Sequence, residues 1–157
     1  MTLTVDEQNE RRDWFRDHWQ NGVRFNQLCK LAITRWDPDG VVMTLPFADE
    51  LSAHDGVFHG GVIAALIDTC GTGAAMAGHD YSFGSRAATI GMNVQYLSVA
   101  PGEDAVATAY CTRRGRALQF ATVAVHSASG KLIAQGMVTV SIAGERRGSP
   151  GDSVSGG

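Results

Sequence analysis

Two apolar rhythms divide this chain, and their order along the sequence predicts its architecture. Residues 60–77 run Gly60-Gly61-Val62-Ile63-Ala64-Ala65-Leu66-Ile67-Asp68-Thr69-Cys70-Gly71 and on to Ala77, almost without interruption by charge. Within this stretch Ile63, Ile67, Cys70 and Ala74 recur at i, i+4, i+7 and i+11, the stripe of a helix that packs one face on a sheet. Gly78-His79-Asp80 ends it. The rhythm then changes to a period of two over 87–98, 104–112, 117–127 and Leu132–Ile142. In the first of these, Ile90, Met92, Val94 and Tyr96 fall on one face and Thr89, Asn93 and Gln95 on the other. Pro101-Gly102, Arg113-Arg114-Gly115-Arg116 and Ser129-Gly130 read as the turns between them.

Upstream, residues 5–20 are charged, with Trp14, Phe15 and Trp19 spaced as a short amphipathic helix, and 22–29 read as a second helical piece. Leu31–Trp36 and Val41–Leu45 flank the turn Asp37-Pro38-Asp39-Gly40 and predict a strand pair. Residues 46–58 read as a loop. The division expected is an N-terminal helical segment over 1–30, a core domain over 31–143, and a disordered tail over 144–157, where Gly, Ser and Pro dominate. A strand pair, one long apolar helix and four meandering strands predict an α+β domain. Its antiparallel sheet of about six strands wraps around the helix. One helix cannot cover such a sheet, and an edge strand stays unpaired, so a homodimer is expected.

Composition narrows the class. The 157 residues are 44% hydrophobic and 18% charged with a net charge of −3, ordinary for one globular domain and no argument for a nucleic-acid or anionic-membrane partner. Asp68 interrupts the best candidate for a transmembrane run. The start, Met1-Thr2-Leu3-Thr4-Val5-Asp6-Glu7, lacks the basic and apolar regions of a signal peptide, which makes the cytoplasm the default expectation. Cys29, Cys70 and Cys111 are widely spaced without a C-x-x-C pair, so free core thiols are expected and no metal site.

The chemistry gathers at His59-Gly60-Gly61. Glycines at a helix start allow close approach to backbone N–H donors that lack helical partners. Those donors, at the positive end of the helix dipole, suit an oxygen that gains negative charge during a reaction. At about 100° per residue, Gly61, Ala64, Ala65, Gly71, Thr72 and Ala75 all lie within roughly 60° of Asp68. The one acid of this helix thus stands in a strip of small residues. Such a strip also serves close helix–helix contact, with Asp68 as a structural acid; the pattern alone leaves both readings open.

At this point the chain resembles the hotdog-fold acyl-CoA thioesterases of the PaaI-like (phenylacetate-degradation) branch. The resemblance rests on Gly56-Val57-Phe58-His59-Gly60-Gly61-Val62 with Asp68 nine positions after His59, on Met92-Asn93-Val94-Gln95-Tyr96-Leu97, and on Gly130-Lys131-Leu132-Ile133-Ala134-Gln135-Gly136. It implies a hotdog domain over 31–143 that hydrolyses an acyl-CoA to a carboxylic acid and CoA, with no cofactor beyond the CoA of the substrate. It further implies Asp68 as general base or nucleophile, the Gly60 N–H as the group polarising the thioester carbonyl, His59 as a positioning residue and Thr89 as a residue orienting water. Sites shared across a homodimer, and dimers paired into a homotetramer, complete the implication. Gly61 is expected to line the substrate, and His54 either does so or is an exposed loop histidine; Arg113, Arg114 and Arg116 read most simply as a solvated hairpin, and in a functional reading meet the phosphates of CoA. One position departs from the family pattern: the Asn usual six residues before the histidine is Ala53, with His54 beside it. A hotdog hydratase or dehydratase and a non-catalytic acyl-CoA-binding module remain as alternatives.

Overall fold

A computed structural model of the chain describes residues 2–54 and 56–152. The chain begins with helix α1 (Val5–Asp17), a π-helical turn over His18–Gly22 and helix α2 (Arg24–Leu28). Strands β1 (Ala32–Asp37) and β2 (Gly40–Leu45) follow, then a 3-10 turn over Asp49–Leu51 and a small ribbon of β3 (Ser52–His54) and β4 (Val57–Phe58). Helix α3 (Gly60–Ala77) leads through a 3-10 turn at Tyr81–Phe83 to β5 (Ala87–Tyr96), β6 (Ala105–Arg114), β7 (Leu118–Ser127) and β8 (Leu132–Ile142). Six of the strands form one antiparallel sheet in the order β1-β2-β6-β7-β8-β5, curled around α3. This is the hotdog fold, with β1 and β5 as its edges.

The apolar stripe sets how α3 lies. Ile63, Ile67, Cys70 and Ala74 are all buried against the sheet, together with Leu66 and Met76, each large aliphatic side chain contributing about 1.5–3 kcal/mol by leaving water. Close approach depends on two glycines. A Cβ on Gly71 would stand 2.7 Å from Val138, and one on Gly136 2.6 Å from Ile67. By length and hydropathy α3 meets the requirement for crossing a membrane, yet 67% of it is buried inside the fold, which makes it a core helix.

The N-terminal segment covers the far half of α3. Thr4 and Glu7 cap α1 reciprocally, and Phe15 is fully buried, stacked on Trp19 at 5.4 Å and on Trp36 at 6.3 Å. Trp19 Nε1 donates to Thr69 O at 3.0 Å, and Arg12 Nε to Ala77 O at 2.7 Å. The near half of α3, around Gly61, Ala64, Ala65 and Asp68, has no such cover and stays accessible beside β5.

Three features differ from the pattern-based expectation. The loop over 46–58 contains the β3–β4 ribbon, held because Leu51 O accepts from His59 N at 2.9 Å and Ala100 O from Phe58 N at 3.2 Å. Residues 144–152 pack instead of trailing: Glu145 pairs with Arg11 at 2.9 Å, and Gly144 O accepts from Ser85 N at 2.8 Å. These contacts are polar, so hydrophobic periodicity does not reveal them; 153–157 lie outside the described residues. Finally, β5 carries a bulge. Thr89 pairs with Val140 while Gly91 pairs with Thr139, which leaves Ile90 as the extra residue.

Candidate active site

The bulge decides what Thr89 does. A strict period of two sets Thr89 opposite Met92, Val94 and Tyr96, but the inserted Ile90 brings it onto their face, toward α3. There Thr89 Oγ1 donates to Asp68 Oδ1 at 2.6 Å, and Thr72 Oγ1 lies 3.3 Å from Thr89 Oγ1. Thr89 has a single hydroxyl proton, spent on the carboxylate, so Thr72 is the donor in the second bond. A relay Thr72→Thr89→Asp68 therefore fixes one carboxylate oxygen and leaves the other available. Asp68 itself is half-buried, one full turn before Thr72 on the same strip of α3. Thr72 belongs to the strip of small residues around Asp68; its i+4 spacing was the signal for this contact.

The second half of the site is the start of α3. His59 is the N-cap, with φ −63° and ψ 133°, and its Nδ1 accepts from Gly61 N at 2.9 Å. His59 O accepts from Val62 N and Ile63 N. Among the described residues the Gly60 N–H has no acceptor, so it is an available donor at the positive end of a buried helix. Tyr96, outside the set of residues singled out from sequence, reaches over from β5: its hydroxyl donates to Gly60 O at 2.7 Å. Beside Gly60 lies a cleft of about 310 Å³ whose walls include Phe58, Ile63, Leu97, Val99 and Ile133. Gly61 is exposed and is not part of the cleft wall.

Within one protomer these halves do not meet. Gly60 and Asp68 are eight residues apart on one helix, about 12 Å, whereas a donor and a base acting on one carbonyl group must both lie about 3 Å from it.

The remaining candidates are placed as follows. His54 is exposed at the end of β3, and Ala53 is the bulged residue of the β3–β4 ribbon, with no polar side chain to offer. Arg114, expected to meet phosphate, is engaged with backbone carbonyls. Its guanidinium donates to Pro38 O at 2.7 Å in the β1–β2 turn, and to Ala75 O at 2.6 Å and Ala74 O at 3.1 Å, capping the C-terminal end of α3. Those carbonyls carry the negative end of the dipole and take the charge that sequence alone left free. Arg116 sits over the Phe83 ring at 4.8 Å, and Arg113 is exposed. Cys70 is fully buried against the sheet, its thiol directed at Ala107 O and Val41 O, and burial pushes it up to about 12, which removes it as a nucleophile. Among the described residues no three His, Cys, Asp or Glu side chains converge to hold a metal ion.

Comparison with known proteins adds to this geometry. Residues 55–134 match the family model of the thioesterase superfamily. Acyl-coenzyme A thioesterase 13 of Homo sapiens is 34% identical over 114 residues, covering 71% of this chain and 79% of that protein. Among solved structures, zebrafish thioesterase superfamily member 2 is 31% identical and superposes with a TM-score of 0.68 over 90% of this chain and 99% of that one. A Shewanella oneidensis protein described as related to the thioesterase superfamily is 26% identical with a TM-score of 0.73, covering 86% and 97% of the two chains.

Proposed function

Since the chain belongs to the thioesterase superfamily and is a thioester hydrolase, we propose that its substrate is an acyl-CoA, hydrolysed to a carboxylic acid and free CoA at a site shared by two protomers. The observation that carries this reading is the placement of the two half-sites on one free strand edge. Thr89, bonded to Asp68, and Tyr96, bonded to Gly60, both face α3 from β5, and among the described residues β5 pairs only with β8. Antiparallel pairing of two β5 edges centred on Asn93, with Ile90 again the extra residue, sets Thr89 of one copy opposite Tyr96 of the other. Asp68 of one protomer then faces Gly60 of its partner, and the gap of about 12 Å within a protomer ceases to matter.

In this arrangement the thioester carbonyl oxygen accepts the Gly60 N–H, with the dipole of α3 behind it. Asp68 delivers the attacking oxygen, by deprotonating water or through its own carboxylate, in which case water afterwards hydrolyses the mixed anhydride formed on Asp68 and releases the acid. The carbonyl carbon becomes tetrahedral, the oxyanion forms against Gly60, and its collapse breaks the C–S bond and expels the CoA thiolate. A thiolate leaves readily, so one strong N–H donor and one carboxylate suffice. The donor is worth roughly 3–4 kcal/mol of barrier. The cleft beside Gly60, walled by Phe58, Ile63, Leu97 and Ile133, offers an apolar surface to the acyl group.

Pairing of dimers into a tetramer is part of the same proposal. The outward positions of β6–β8 include Tyr110, Phe120, Thr122 and Met137, with Arg113 opposite Phe120 at one end, and a face of this kind, partly apolar with little charge, is suited to burial between copies.

The test is thiol release from short, long and aromatic acyl-CoAs by the wild type and Asp68→Asn. Turnover should fall by roughly 10²–10⁴-fold in the variant while the oligomer and acyl-CoA binding persist. A variant as active as the wild type, or a well-folded wild-type oligomer that releases no thiol from any ester, overturns the proposal.

A further inference from the structure

We infer that Tyr96 is a positioning residue for the oxyanion donor, acting through the peptide group that follows Gly60. The inference rests on the hydrolytic role given to the Gly60 N–H. Two glycines at the head of a helix make a soft start, because neither has a side chain to restrict its backbone. The structure holds this start from both sides. The peptide joining Gly60 to Gly61 has its carbonyl bonded to the Tyr96 hydroxyl at 2.7 Å and its N–H bonded to His59 Nδ1 at 2.9 Å. A peptide plane fixed at its oxygen and at its nitrogen cannot flip. The preceding plane is fixed as well, since His59 O accepts from Val62 N and Ile63 N. With both planes set, the Gly60 N–H has one direction.

The Tyr96 ring adds a steric part. Its Cε1, Cζ and Oη atoms would lie 3.5–3.6 Å from a Cβ on Gly60, in ordinary contact. The ring therefore fills the side of Gly60 toward which the free backbone would otherwise move. Packing alone asks for an aromatic ring and would be met by phenylalanine. The hydroxyl is needed only for the bond to Gly60 O.

Tyr96→Phe separates the two parts, because it keeps the ring and deletes the bond. Loss of the donor itself costs about 10²–10³ in kcat; a donor that is present but loosely aimed should cost about tenfold, with KM unchanged to within about twofold. The melting temperature and dimer should be retained. A second arm pairs Tyr96→Phe with His59→Ala. Two residues that hold one peptide plane are coupled, so the double variant should lose less than the product of the single losses.

An unchanged kcat in Tyr96→Phe, or independent multiplicative losses in the double variant, overturns the inference while the thioesterase reading stands. A wild type that hydrolyses no thioester removes both. A fall in kcat accompanied by loss of the dimer or by an equal rise in KM assigns Tyr96 to packing and also overturns it.

Discussion

Replacing Gly60 with proline deletes the proposed oxyanion donor and little else. Gly60 is the first helical residue after the N-cap, the one helical position where proline is welcome, since its missing N–H has no helical partner to lose. The residue before a proline is pushed toward extended backbone, and His59 already has φ −63° and ψ 133°. A Cβ at position 60 would lie 3.5 Å from the Tyr96 ring, an ordinary contact. The fold should therefore accept the change, with a melting temperature close to that of the wild type. Catalysis should not.

Removing a single oxyanion donor costs roughly 2.7–4 kcal/mol, or about 10²–10³ in rate. The proline ring also enters the space in front of the former N–H, so substrate binding weakens and kcat/KM is the parameter to read. Gly60→Ala keeps the N–H with similar added bulk at Cβ and should stay far closer to the wild type. The assay is steady-state thiol release, with circular dichroism and sedimentation velocity confirming fold and dimer. A folded, dimeric Gly60→Pro whose kcat/KM lies within about tenfold of wild type would refute the assignment of the Gly60 N–H as the essential donor.

Other consequences are nearer to stability. Arg114→Ala removes three charge-assisted bonds, two to carbonyls at the end of α3 and one to Pro38 O in the β1–β2 turn; with Arg12 still on Ala77 O, the loss should be about 2 kcal/mol. That corresponds to about 4–8 °C in melting temperature at fixed protein concentration, with KM for CoA esters unchanged. A raised KM at unaltered stability would return Arg114 to phosphate binding. Gly71→Ala sets a clash with Val138 at 2.7 Å, costing about 1–3 kcal/mol, against a gain of about 1 kcal/mol in helix propensity; a melting temperature above wild type would contradict the packing argument. His79 is buried, donates from Nε2 to Gly84 O at 3.0 Å, and is held below the ordinary histidine range, first by burial and also by the Arg114 charge. The unfolded chain therefore takes up the proton first, so stability is full above about pH 6.5 and falls as the pH drops below it. His18, lowered by burial and by Arg146, acts in the same sense. His79→Gln should flatten the pH dependence of the melting temperature between about pH 7 and 5, and an undiminished slope would exclude His79 as its source.

What the sequence reveals here follows the kind of force involved. Burial of apolar surface is periodic, so the stripe Ile63, Ile67, Cys70 and Ala74 and the alternation in β6–β8 locate the core helix and most of the sheet without any structure. Turn chemistry is local, so Asp37-Pro38-Asp39-Gly40 gives the β1–β2 hairpin directly. The capping of α3 by Arg114 belongs to neither class. It depends on where a hairpin ends relative to a helix thirty-odd residues earlier, and a charged side chain in a turn looks the same whether it is solvated or spent on carbonyls.

The site shows the same division more sharply. His59-Gly60-Gly61 and Asp68 stand out because glycine pairs and lone acids in apolar helices are rare patterns with few structural reasons. Thr89 is different, since its relation to Asp68 turns on one inserted residue. Without the bulge at Ile90, Thr89 would face away from α3 and the carboxylate would lose its 2.6 Å partner. Gly91, an isolated glycine inside a strand, was the sequence signal for that bulge. Deleting Ile90 flattens the bulge yet leaves Thr89 opposite Val140 on the α3 face, so the cleaner perturbation is Thr89→Val, which keeps the register of β5 and removes only the hydroxyl. Loss of that one bond to the carboxylate should lower kcat by about tenfold or more while leaving the buried face of α3 intact, and full thioesterase turnover by a folded Thr89→Val variant would show that the Thr89 hydroxyl is dispensable.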